Sequence, residues 1–76
     1  MSPKPLLVSG RKLIKMFKKL GYEKISQKGS HIKIKNYSTG SVLIIPDHKE
    51  LDRWTLKTIL KQADISDKDF NDKLGA

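Results

Sequence analysis

The sequence predicts an α+β two-layer sandwich in the order helix, strand, strand, strand, helix, with a short helix added at its end. Three observations carry this. Two amphipathic stretches flank three short β-rich runs. The connections between those runs are too short for anything but an antiparallel meander. A chain of 76 residues suffices for one modest core that buries about 60% of the unfolded surface. The chain therefore reads as one domain, with its core over about residues 9–65.

Residues 1–8, which include Pro3 and Pro5, read as an extended lead-in whose Leu6 to Val8 can cover part of the core. Ser9 has the character of an N-cap, and Val8 before it can staple onto Leu13. Leu13, Ile14, Phe17 and Leu20 then recur at helical spacing until Gly21 closes a helix over about 10–20. Met16 reads as core or core edge. The outward side of this helix carries Arg11, Lys12, Lys15, Lys18 and Lys19, a surface that either solvates the helix or touches phosphates.

Three strands are expected at about 22–28, 30–37 and 41–45, reversing at Lys28-Gly29 and within Asn36 to Gly40. In the second, His31, Lys33 and Lys35 share one face and Ile32 and Ile34 the other. Val42 to Ile45 is apolar on both faces, so a partner or a terminal segment is a candidate cover for its outer side. Pro46 ends the strand. Leu51-Asp52 repeats the staple-and-cap pattern before a second helix over about 53–63, with Leu56, Ile59, Leu60 and Ala63 on its inner side. Trp54, near its start, is expected to roof the edge of the core. Ser66, Asp69 and Phe70 mark a short third helix, prone to fray, that ends at Leu74-Gly75.

Sixteen Lys and Arg against eight acids give a net charge of +8, which favours an anionic partner. The last 13 residues net −2 and the first 63 net +10, so the basic surface belongs to the first 63. Few aromatic residues are present to form a base-stacking platform. No cysteine is present, which removes disulfides and thiolate metal sites. The absence of a long apolar run or a signal-peptide core leads to the expectation of a cytoplasmic protein with no membrane association.

The residues that point to chemistry are Gln27 to Ile34, reading QKGSHIKI. Gly29 supplies the positive φ a tight reversal demands, and the histidine that follows can take and give a proton near neutral pH. Around it, Lys28 and Lys33 are candidates for holding a phosphate, and Ser30 can bond either a phosphate or the turn. His48 is a loop histidine without a placed partner. Two histidines 17 positions apart without a third ligand make no recognisable metal site, so no cofactor is expected.

Leu13-Ile14, Gly21-Tyr22, the run Gln27-Lys28-Gly29-Ser30-His31, Ile45-Pro46 with His48, and Thr55 to Ala63 together resemble, over about residues 11–65, the HicA toxins of bacterial toxin-antitoxin pairs. The resemblance implies a fold like the double-stranded RNA-binding domain. It further implies metal-independent endoribonuclease cleavage of mRNA, and neutralisation by an acidic, HicB-like antitoxin. It maps the catalytic histidine onto His31. Lys28, Gly29, Ser30, Lys33 and Lys35, with Lys15 and Lys19 on the first helix, are the expected RNA-binding residues. The sequence departs from the family where Ile32 stands in place of an often repeated histidine, and where Arg53-Trp54 replaces a more usual glycine before Thr55. Two other readings share the basic surface: an RNA-binding module without catalysis, and a protein-interaction module for an acidic partner.

Overall fold

The computed structural model describes residues 5–75; of the expected lead-in, residues 1–4 lie outside the described residues. The chain forms α1 (Gly10–Lys19), β1 (Tyr22–Lys28), β2 (His31–Asn36), β3 (Val42–Pro46), α2 (Arg53–Gln62) and α3 (Asp67–Gly75). The strands make one antiparallel sheet in the order β1-β2-β3. This is the predicted α+β sandwich. Among the described residues no helix is long and apolar enough to cross a membrane.

Both expected N-caps form. The Ser9 hydroxyl accepts from the Lys12 N–H at 3.1 Å, and an Asp52 carboxylate oxygen accepts from the Thr55 N–H at 2.6 Å. Each cap satisfies one of the N–H groups a helix start leaves open. Leu13, Ile14 and Phe17 of α1 and Leu56, Ile59 and Leu60 of α2 are buried in one cluster with Ile32, Ile34, Leu43 and Ile45 of the sheet. Alternation along β2 and β3 thus assigns one face of the sheet to the helices and leaves the other open. Where α1 begins, a Cβ on Gly10 would overlap the carbonyl oxygen of Pro46. The close approach is fixed by Gly10 N–H donating to the His48 carbonyl at 2.9 Å, which anchors the helix against the end of β3.

The third helix is not a fraying appendage. Phe70 is fully buried, Leu74 packs against the same core, and the Ser66 hydroxyl caps the helix by accepting from the Asp69 N–H at 3.1 Å. Pro5 is fully buried too, and the Leu6 N–H donates to the Asn71 side-chain oxygen at 2.9 Å. The core expected over 9–65 therefore extends into both flanking segments. Trp54 departs in the opposite direction: it does not roof the core but stands 77% exposed. Leu56 sets the buried side of α2, and a residue two positions away lies about 200° around the helix from it.

Candidate functional site

The site is built on the open face of the sheet. His31 opens β2 and faces Lys28 of β1 on one side and Pro46 of β3 on the other. The next row on this face is Ser26, Lys33 and Ile44, and beyond it lie Glu23, Lys35 and Val42. Directly opposed residues stand about 5 Å apart and successive same-face residues about 7 Å apart along a strand, so Lys28 across the ladder and Lys33 along the strand are same-face neighbours of His31.

A bulge makes this possible. The register slips between Lys24 and Ser26 and leaves Ile25 unpaired. Side chains alternate with period two, so without the slip Lys28 would share the face of the buried Tyr22. With it, Tyr22 packs edge-on to Phe17 in the core, their ring centres 5.0 Å apart, while Lys28 emerges beside His31.

The turn that presents His31 is braced at both of its residues. Gly29 adopts φ 59°, and no atom lies where its Cβ would stand, leaving the backbone open to close approach. The Gln27 side chain donates to the Gly29 carbonyl at 3.0 Å and accepts from Lys24 Nζ at 2.8 Å. The Ser30 carbonyl accepts from the Asp47 N–H at 2.6 Å, which extends the β2-β3 pairing past Pro46. Asp47 is held in turn by a bidentate pair with Arg11, at 3.0 and 3.3 Å. The Arg11 hydrogen bond holds the Asp47 carboxyl below the usual carboxylate range, and the Thr55 backbone and hydroxyl do the same for Asp52.

Two adjoining depressions cover this face. Ser26, Lys28, His31, Lys33 and Ile44 line the first; His31, Lys33 and Ile44 continue into the second, which runs to Trp54, Thr58 and Gln62 of α2. Neither is lined by an acid. Lys35 lies on the same face near its far end, half-buried, with its ammonium 5.0 Å from the centre of the Tyr37 ring. Gly29 and Ser30 lie in the exposed turn.

Lys15 and Lys19 are not brought to His31. They line a depression with Lys12, Met16, Lys18, Lys73 and Leu74 between α1 and α3, on the helical side of the molecule. Because α1 packs on the inner face of the sheet, the two lysine sets line separate depressions. His48 also stands apart, in a depression with Ser9, Arg11, Asp47 and Lys49. Among the described residues no group of three His, Asp or Glu side chains is placed to hold a metal ion.

Fold and groove define a small basic α+β domain whose open face sets a histidine between lysines, an arrangement suited to a phosphodiester anion. Comparison with protein families matches residues 10–65 to the family described as "HicA toxin of bacterial toxin-antitoxin". The chain belongs to this HicA toxin family, and an antitoxin partner is implied at the level of the family. A search of the curated proteins finds no match. α3 lies beyond the matched residues.

Proposed function

We propose that the chain is an endoribonuclease that cleaves mRNA through His31, without a metal, and that a HicB-like acidic antitoxin restrains it by covering the open sheet face. The observation that carries this reading is the placing of exposed His31 between Lys28 and Lys33 in a groove lined by no acid. RNA supplies its own nucleophile, the 2′-hydroxyl. The protein has then to hold the phosphate in line, take the hydroxyl proton, and stabilise the added negative charge. His31 takes the proton; Lys28 and Lys33 hold and stabilise the phosphate. The exposed Val42 and Ile44 beside them give an antitoxin an apolar foothold, in an interface of roughly 1,600 Å² if it is of ordinary size.

Attack by the 2′-hydroxyl forms a 2′,3′-cyclic phosphate as the P–O5′ bond breaks and the leaving 5′-oxygen takes a proton from solvent, so fragments should carry a cyclic phosphate and a 5′-hydroxyl, in undiminished yield with excess chelator. Fragments ending in a 5′-phosphate would exclude this route. In a complex with the co-expressed antitoxin, cleavage should be suppressed and backbone amides from Lys28 to Lys35 protected from exchange. Suppression without that protection would exclude direct covering of the site.

The two lysine surfaces should separate in a salt titration. Each lost phosphate contact lowers the slope of log K against log salt by about 0.7 for a single strand. Lys28→Glu with Lys33→Glu should therefore lower it by about 1.4 and abolish cleavage, whereas Lys15→Glu with Lys19→Glu should spare the rate at saturating RNA. Equal loss of that rate in both pairs would place the scissile phosphate outside the groove.

A further inference from the structure

We propose that Trp54 is a stacking platform for an RNA base next to the phosphate held beside His31 by Lys28 and Lys33. The proposal rests on the ribonuclease reading and adds the group that positions the substrate strand. Tryptophan is the largest apolar side chain, and burying one is strongly favourable. Trp54 is nevertheless 77% exposed and lines the same depression as His31 and Lys33. Its position is not forced by packing: Leu56, Ile59 and Leu60 already hold α2 to the sheet.

The surroundings of the ring fit a nucleotide. On the side toward His31 the floor is apolar, formed by Val42, Ile44 and Pro46, and Lys33 is the charged group there. Aromatic faces accept any base, and a cation beside them holds the backbone. Thr58 and Gln62 follow Trp54 along the same side of α2 and line the same depression. The Thr58 hydroxyl donates to the Trp54 carbonyl at 2.9 Å, which leaves its oxygen free to accept from a base edge, and the Gln62 amide can both donate and accept. On its other side Trp54 borders the groove between α2 and α3, where Asp64, Asp67 and Asp69 are interspersed with lysines. The acid-free His31 side is thus the one on which a phosphate meets no repelling carboxylate. A tryptophan serving as a protein-binding anchor is typically set in a packed patch that excludes water; here the ring stands exposed, and Thr58 and Gln62 line the depression opposite its apolar floor.

Trp54 is the sole tryptophan of the chain, so its fluorescence reports the contact directly. The full-length protein is titrated with a single-stranded 2′-O-methyl RNA oligonucleotide, which lacks the nucleophile and stays intact. Saturating quenching is expected with this probe. Inorganic polyphosphate, which binds lysines but has no bases, should give none at equal saturation. Trp54→Ala should weaken oligonucleotide binding about tenfold or more, and Trp54→Phe by no more than about threefold, since a base stacked on an exposed ring carries this much affinity. The far-ultraviolet spectrum of both variants should match wild type.

Cleavage of unmodified RNA is measured in parallel. If wild type cleaves but Trp54→Ala binds and cleaves within twofold of it, stacking is overturned while the nuclease reading stands. If wild type fails to cleave yet its fluorescence is quenched by the oligonucleotide alone, the nuclease reading fails and the platform stands. Unchanged RNA affinity together with a weakened antitoxin complex would assign Trp54 to the protein partner and overturn the proposal.

Discussion

His31→Ala should reduce the rate of RNA cleavage at saturating substrate by at least about 100-fold, and up to about 10,000-fold, the range a positioned acid or base contributes. The fold should be untouched. His31 is exposed at the start of β2, and it is held there by backbone pairing with Lys28 and Pro46. Binding should change little, because Lys28 and Lys33 remain. His31→Gln separates proton transfer from hydrogen bonding: it keeps a polar group at the position but cannot act as a base near neutral pH, so it should be as slow as His31→Ala. Because the groove is open to solvent, imidazole added to the His31→Ala protein should restore part of the rate and leave His31→Gln unaided. A folded His31→Ala protein that cleaves at the wild-type rate would remove this residue from the mechanism.

The parts of this site that were legible in the sequence are those set by local chemistry. Gly29 at a positive φ and the alternation of His31, Ile32, Lys33 and Ile34 are properties of neighbouring residues, and they are found as expected. What joins Lys28 to His31 is less local. A bulge at Ile25 reverses the parity of β1, and nothing in the alternation of that strand announces where a register will slip. Lys15 and Lys19 illustrate another limit. Their outward position on α1 was plain from the spacing of Leu13, Ile14 and Phe17, but the side of the sheet on which α1 packs sets their distance from His31. Trp54 did leave a signal, since it lies off the stripe formed by Leu56, Ile59 and Leu60. The general tendency of tryptophan to be packed runs against that spacing.

Phe70→Ala should destabilise the domain by about 3–5 kcal/mol, the usual cost of removing a fully buried phenylalanine. A small domain has only about 5–15 kcal/mol in hand, and each kcal/mol moves the midpoint of its thermal transition by about 4–8 °C. The melting temperature should therefore fall by more than about 10 °C. Truncation after Ile65, which removes Phe70 and Leu74 together, should cost more still and leave little folded protein. The sequence hides this dependence because Phe70 is enclosed by Asp67, Asp69, Asn71 and Asp72, and only Leu74, one helical turn on, completes its apolar stripe. The match to the HicA family ends at residue 65, which invites trimming at that point. In the structure, α3 closes over the helical layer, aided by a Lys57–Asp67 ion pair at 3.5 Å, and the segment around Leu6 is tied to it through Asn71. An exposed pair of that kind adds little, so the helix is held by Phe70 and Leu74. A Phe70→Ala denaturation midpoint equivalent to less than about 0.5 kcal/mol of change would mean that α3 is undocked in solution. In the expected outcome, loss of RNA cleavage on truncation at Ile65 would report unfolding of the scaffold behind His31, and the intact open-face residues Lys28, His31 and Lys33 would not compensate for it.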